Sequence, residues 1–305
     1  MLWLAGLMGL FAVGSVTVVE MESIFGAGSD ESNADLEADK NEQDAAEPTG
    51  ASSDLADIET QTSTPNTEPD GVEIQVTDGD EFHFGTDNAD TMTGGAGNDT
   101  LHGQGDDDLI QGDAGNDTLF GHNGDDTLHG GGGADSLQGS DGNDAAEGGA
   151  SNDAVHGGLG DDTLSGRHGD DVVRGITNGV NIDMEDDGDF LNGGDGDDVI
   201  IAGNDDIVTP GNGTDTIVDG SWVTDSRAID IIDFDSADDN ILLIYEDDTE
   251  APDISLQPDP YDLDVTQVLM DGVAVANIAN GAEISIEDIS LMPLSLAQST
   301  GLAPL

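Results

Sequence analysis

Gly94-Gly95-Ala96-Gly97-Asn98-Asp99-Thr100-Leu101-His102 is one of ten consecutive nine-residue units that run without a slip of phase from Gly85 to Arg174. Each unit opens on glycine, at Gly85, Gly94, Gly103, Gly112, Gly121, Gly130, Gly139, Gly148, Gly157 and Gly166. Each carries aspartate at its sixth place, at Asp90, Asp99, Asp108, Asp117, Asp126, Asp135, Asp144, Asp153, Asp162 and Asp171. The eighth place is always apolar: Met92, Leu101, Ile110, Leu119, Leu128, Leu137, Ala146, Val155, Leu164 and Val173. A unit this short cannot close a core by itself, whereas stacked copies bury a continuous one. Asp-Gly clusters usually signal no more than solvated turns, but turn composition alone does not hold a fixed period.

The pattern resembles the RTX, or haemolysin-type calcium-binding, nonapeptide Gly-Gly-x-Gly-x-Asp-x-U-x, where U is a large apolar residue. Gly94 to His102 fits every position, as does Gly157-Gly158-Leu159-Gly160-Asp161-Asp162-Thr163-Leu164-Ser165. The resemblance implies an all-β fold, a right-handed parallel β-roll with a C-terminal β-strand cap. Two units then make one coil, with turns alternating between two edges and three-residue strands forming two facing sheets. Met92, Ile110, Leu128, Ala146 and Leu164 fall on one inner face, and Leu101, Leu119, Leu137, Val155 and Val173 on the other. Glycine at the first and fourth places is expected to supply positive φ or close backbone approach. Asn88, Asp106 and Ser151 replace it at the fourth place, so their coils are expected to be weaker.

Calcium is the cation this arrangement calls for. Between Gly85 and Arg174 there are 19 acidic residues against Arg167 and Arg174. Strands stack about 4.8 Å apart, and two like charges about 5 Å apart repel by roughly 3 kcal/mol at an effective dielectric near 20. One buried aliphatic side chain returns about 1.5–3 kcal/mol, while ordering each backbone residue costs roughly 1–2 kcal/mol. Calcium accepts six to eight oxygens from carboxylates and carbonyls in flexible geometry; magnesium is stricter, and an oxygen-only donor set disfavours soft metals. The resemblance assigns the ligands to the sixth-place aspartates and to turn glycines: Gly94, Gly112, Gly121, Gly130 and Gly157 at the first place, Gly95, Gly131 and Gly158 at the second, Gly97, Gly115, Gly124, Gly133 and Gly160 at the fourth. At the fifth place, Asn98, Asp107, Asn116, Asp125, Asn143, Asn152, Asp161 and Asp170 either close their own turns or add ligands.

After Arg174 the phase breaks and a degenerate run follows. Asp189, Asp198 and Asp215 hold the sixth places of units starting at Met184, Gly193 and Pro210, while Asp206 lies in a unit one residue short. With two sites there, the total comes to up to about ten calcium ions. Residues 175–220 thus form a second block behind the main roll of 85–174, and 71–84 read as a strand capping its open start. The stretch 221–305 turns strand-rich, with a hairpin signal at Asp271-Gly272. Ile229 to Tyr245 resembles the cap that follows RTX repeats, and the last fifty or so residues resemble an uncleaved signal for the type I secretion machinery.

The net charge of -64 comes from 68 acidic and four basic residues, which excludes nucleic-acid binding by phosphate neutralisation. Cysteine is absent, so metal ions rather than disulfides must serve as cross-links. Residues 1–22 include the uncharged apolar run 2–19, long enough to cross a bilayer but without a basic n-region, which leaves open an anchor, a cleaved signal or a targeting tail. Residues 23–70 have the composition of a disordered acidic linker. No His-Glu-x-x-His or Gly-x-Ser-x-Gly motif is present, and Lys40 is the only lysine. His102, His129 and His156 share the ninth place at intervals that put them on alternating sheets, which disfavours a shared metal. The third places form no threonine ladder. The sequence therefore points to a secreted, non-enzymatic, calcium-binding roll, free or tethered at the bacterial surface. The alternatives are a secreted calcium-dependent hydrolase with a site in 175–260, or a membrane-tethered adhesin.

Overall fold

The computed structural model describes residues 71–176, 188–220, 227–247, 250–279 and 284–303. The N-terminal segment and the acidic linker, with their anchor, signal and disorder expectations, lie outside the described residues. Among the described residues no helix is long and apolar enough to cross a membrane.

Two sheets face each other, parallel except at the end of the first, where three strands pair antiparallel. The first contains β1 (Glu73–Gln75), β3 (Thr91–Ala96), β5 (Leu109–Ala114), β7 (Thr127–Gly132), β9 (Ala145–Ala150), β11 (Thr163–His168), β13 (Phe190–Asp195), β15 (Ile207–Asn212) and β17 (Ile229–Ile231). It ends in β21 (Val273–Ile278), β20 (Thr266–Met270) and β19 (Ile254–Pro258). The second runs through β2 (Phe82–Phe84), β4 (Thr100–Gly105), β6 (Thr118–Asn123), β8 (Ser136–Asp141), β10 (Ala154–Leu159), β12 (Val172–Arg174), β14 (Val199–Ile201), β16 (Thr216–Gly220), β18 (Asn240–Tyr245) and β22 (Ile289–Pro293). Successive units alternate between the sheets, so the chain is a parallel β-roll.

Register follows the eighth-place residues. Met92 pairs with Ile110, Ile110 with Leu128, Leu128 with Ala146 and Ala146 with Leu164 in the first sheet. Leu101, Leu119, Leu137, Val155 and Val173 align in the second. All are essentially buried and belong to one continuous core. The core is one side chain thick per sheet, which makes Ala146 its thinnest rung. The later block continues the same stacks: Leu164 pairs with Leu191 across a 27-residue interval, and Leu191 with Val208 across 17. Residues 71–84 supply one strand to each sheet rather than a single cap.

The regular strands are six residues long, not three. Each begins at a seventh place and passes through the first-place glycine of the following unit. The position of the left-handed backbone differs too. First-place glycines are not in it, whereas the fourth place is, at Gly97, Asp106, Gly115 and Ser151, though not at Asn88. The second place from Gly95 onward is left-handed as well, and there Gln104 (φ 98°), Asp113 (72°), His122 (83°), Ser140 (102°) and Arg167 (78°) occupy a region that costs a residue with a Cβ about 1–3 kcal/mol.

The C-terminal part closes both sheets. β20 and β21 are joined by Asp271-Gly272, both with positive φ as a type I′ hairpin requires. On the outer face of the second sheet, α1 (Leu294–Thr300) sets Ala297 against Ile201, Val218, Leu242 and Ile244, and the Arg174 guanidinium donates to the Gly301 carbonyl at 2.5 Å.

Two substitutions with opposite signs test this geometry. Gln104→Gly removes a strained φ and is expected to raise stability by about 1 kcal/mol. A Cβ at Gly115 would lie 1.6 Å from the Gly97 carbonyl oxygen, so Gly115→Ala should cost about 3 kcal/mol or more. Denaturant midpoints at saturating calcium measure both.

Candidate metal centre

The ends of the strands carry the sixth-place aspartates into two ladders, one along each edge. On the first edge the Asp90 N–H donates to Asp108 Oδ1 (2.7 Å), Asp108 to Asp126, Asp126 to Asp144, Asp144 to Asp162, Asp162 to Asp189 and Asp189 to Asp206 (2.9 Å). On the second, Glu81 donates to Asp99, Asp99 to Asp117, Asp117 to Asp135, Asp135 to Asp153, Asp153 to Asp171, Asp171 to Asp198, Asp198 to Asp215 and Asp215 to Asp239 (3.2 Å). Every one of these aspartates is buried. The carboxylates therefore do not simply face one another: one oxygen of each is compensated by a backbone donor from the adjacent rung.

The second oxygen is different. Oδ2 of Asp99, Asp108, Asp117, Asp126, Asp135, Asp144, Asp153, Asp171, Asp198 and Asp215 is buried without a hydrogen-bond partner. An ionised oxygen left so costs more than any core contact nearby returns. These oxygens lie beside the first-place glycines. A Cβ on Gly94 would come 2.6 Å from Asp99 Oδ2 and 2.8 Å from the Gly112 carbonyl; on Gly112, 2.4 Å from Asp117 Oδ2 and 2.7 Å from the Gly130 carbonyl; on Gly130, 2.5 Å from both Asp135 Oδ2 and the Gly148 carbonyl. Gly121 and Gly157 likewise leave room for Asp126 Oδ2 and Asp162 Oδ2. In the regular units glycine is thus required at the first place by the close approach of the carboxylate and of the next rung's carbonyl, not by backbone φ.

Orphaned carboxylate oxygens beside carbonyl oxygens form a hard, oxygen-only donor set, which fits calcium. The candidate ligands the structure brings together are the sixth-place Oδ2 atoms and first-place carbonyls such as those of Gly112, Gly121 and Gly130. Gly95, Gly131 and Gly158, and Gly97, Gly115, Gly124, Gly133 and Gly160, instead pack against carbonyls of the preceding rung. Among the described residues no three His, Asp or Glu side chains converge as a metal cluster; the oxygens beside each Oδ2 are backbone carbonyls such as those of Gly112 and Gly130.

Fifth-place side chains form a separate, exposed ladder running the other way. The Asn116 N–H donates to Asn98 Oδ1, Asp125 to Asp107, Asn143 to Asp125, Asp161 to Asn143 and Asp170 to Asn152, at 2.8–3.1 Å. They stitch neighbouring turns together rather than closing their own. Asp206 and Asp239 join the sixth-place ladders although the repeat phase does not select them. Asp206 sits in a shortened unit, and Asp239 follows a turn whose Asp235 N–H donates to it at 2.8 Å.

Histidine takes part in an outer-face feature. Phe84, His102 and Phe120 stack at centroid separations of 4.7 and 4.5 Å, and His102 Nδ1 lies 3.0 Å from His122 Nε2. Burial, with the neighbouring His122, lowers the His102 pKa. His156 Nε2 meets the Ile176 carbonyl at 2.9 Å. The three ninth-place histidines do not gather on one point.

The class is thus a parallel β-roll with an internal acid ladder along each edge. The RTX calcium-binding nonapeptide repeat family matches this chain in four copies, at residues 84–119, 120–155, 147–175 and 185–217. Over those residues the chain carries repeats of that calcium-binding kind. A comparison with curated proteins gives no match.

Burial, aided by neighbouring carboxylates, pushes Asp108, Asp126, Asp144, Asp153 and Asp198 up to about 7 and Asp135 to about 6. These groups hold protons more tightly folded than unfolded, where aspartate titrates near about 3.9. Protonation therefore favours the metal-free roll, and its stability falls as pH rises from about 4 to about 7. Circular dichroism of metal-free protein should show more β structure at pH 5 than at pH 8. Because calcium displaces those protons, its affinity should rise over the same window.

Proposed function

We propose that this chain is an exported calcium-binding β-roll that folds when it meets calcium outside the cell and then serves a structural or interaction role at or beyond the bacterial surface. The observation that carries the reading is the row of buried Oδ2 atoms without partners. In calcium-poor cytosol those oxygens oppose folding. At the 10⁻⁴–10⁻³ M dissociation constants typical of extracellular calcium modules, the same oxygens would become ligands, and binding energy would become folding energy. Seven sixth-place-type acids on the first edge and eight on the second leave six and seven gaps between neighbours, each a place for an ion. That raises the capacity from the roughly ten suggested by the repeat phase to about 13.

Export fits the remaining features. Cysteine is absent, and a charge of -64 keeps even the loaded protein strongly acidic and self-repelling. The last fifty residues are proposed to engage the type I secretion machinery, and residues 2–19 to decide between release and tethering as an adhesin. A hydrolase site in 175–260 is disfavoured by one fact: all six histidines, from His83 to His168, precede that segment.

Far-ultraviolet circular dichroism during calcium addition, with magnesium as control, tests the switch. A cooperative rise in β signal at submillimolar to millimolar calcium, reversed by chelator and absent with magnesium, is expected; metal-free protein as compact and protease-resistant as the loaded form would overturn it. Asp126→Asn, at a rung with neighbours on both sides, should raise the required calcium several-fold, since affinity follows ligand charge. Calcium-dependent esterase or protease activity of the purified chain would favour the enzyme reading. Fractionation of cells making the chain with and without residues 1–22 separates tethered from released protein.

A further inference from the structure

We propose that Asp219, with Asp206, forms a cation site that closes the ladder on the first edge of the roll, at a position the repeat pattern reserves for glycine. The inference rests on the calcium reading above and adds a residue and a site to it.

Asp219 stands at the first place following the unit Pro210–Val218. In the regular coils an atom added at a first-place Cβ falls 2.0–2.6 Å from the ladder Oδ2 of the same unit, so that spot adjoins the ligand oxygens. Asp219 places a carboxylate from this same backbone position. It lies at the end of β16, and the preceding Val218 carbonyl accepts from the Ala202 N–H at 3.0 Å, which puts it one rung beyond the turn that carries Asp206. The side chain is completely buried. Oδ1 accepts from the Gly220 N–H at 2.6 Å, and Oδ2 has no partner.

The rung beneath Asp219 carries another acid, Asp206. Asp206 Oδ1 accepts from Asp189 at 2.9 Å and its Oδ2 from Gly203 at 2.6 Å. A Cβ on Gly175 would lie 2.4 Å from Asp189 Oδ2 and 3.0 Å from Asp206 Oδ2, so the carboxylates of the last two rungs approach each other here. Burial foremost, and then the Asp206 charge, drive the Asp219 pKa well above the ordinary range. Arg227, the nearest basic residue in sequence, is engaged with Asp205 at 3.5 Å on the surface. Two buried acids with oxygen neighbours call for a hard divalent ion, which would tie the last rung of this edge to β16 and β18.

Native mass spectrometry and calorimetry of the full chain, with calcium alone as probe, compare the parent with Asp219→Asn and Asp219→Gly; the second restores the repeat's own residue and guards against a folding defect. Both variants should bind one ion fewer and need roughly tenfold more calcium for the last folding step, while their metal-free forms become more resistant to denaturant. An unchanged ion count in both variants overturns the proposal. A parent that binds no calcium would instead overturn the broader reading, so the two failures are distinguishable.

Discussion

A buried aspartate with one oxygen satisfied and the other orphaned is the unit from which this molecule is built. Its Oδ1 accepts from the preceding rung's N–H and so fixes the spacing of the coils, and its Oδ2 lies where a Cβ on the first-place glycine of a regular unit would fall. Because the core is a single side chain deep, each coil contributes at most two apolar contacts of about 1.5–3 kcal/mol against a backbone entropy cost several times larger. Glycine turns, thin core and acid ladder belong together: the apolar core alone does not offset the backbone entropy, and the orphaned oxygens are the atoms that the proposed ions would satisfy.

The ends face a different problem, because an open sheet exposes unpaired backbone groups. At the start, β1 and β2 form an irregular first coil. Phe82 and Phe84 lie exposed on its outer side, Phe84 against the ring of His102. At the other end the antiparallel β19–β21 meander extends one sheet, while β22 and α1 finish the second. Closure of the acid-laddered part is therefore achieved by ordinary apolar packing around Ile229, Ile231, Val268 and Ile278.

Much of this was legible before any coordinates, because a nine-residue phase held over ten units dictates which residues are inside and which coils are neighbours. The alternation of Met92 with Leu101 was what the resemblance implied, and the turn at Asp271-Gly272 followed from its residue pair. Strand length was misjudged because a first-place glycine looks like a turn residue, yet it is extended and empty to make room for an oxygen. Positive φ at the second place was hidden where Gln104 or Arg167 stands, the glycines at Gly95, Gly131 and Gly158 being the available signal. Asp206 and Asp239 escaped because a shortened unit and an aperiodic loop carry them to the ladder by three-dimensional stacking. Electrostatic crowding was overstated for one oxygen of each carboxylate, since a sequence does not show which N–H groups will point at it.

The strict handover of successive units from one sheet to the other gives the fold a parity. Removing or duplicating a single nonapeptide would send every downstream strand to the opposite wall, exchange the two edges and misalign the closing elements at the far end. Lengthening or trimming by pairs leaves both walls and the terminal closure in place, so the molecule is quantised in whole turns, with size adjustable like the links of a chain.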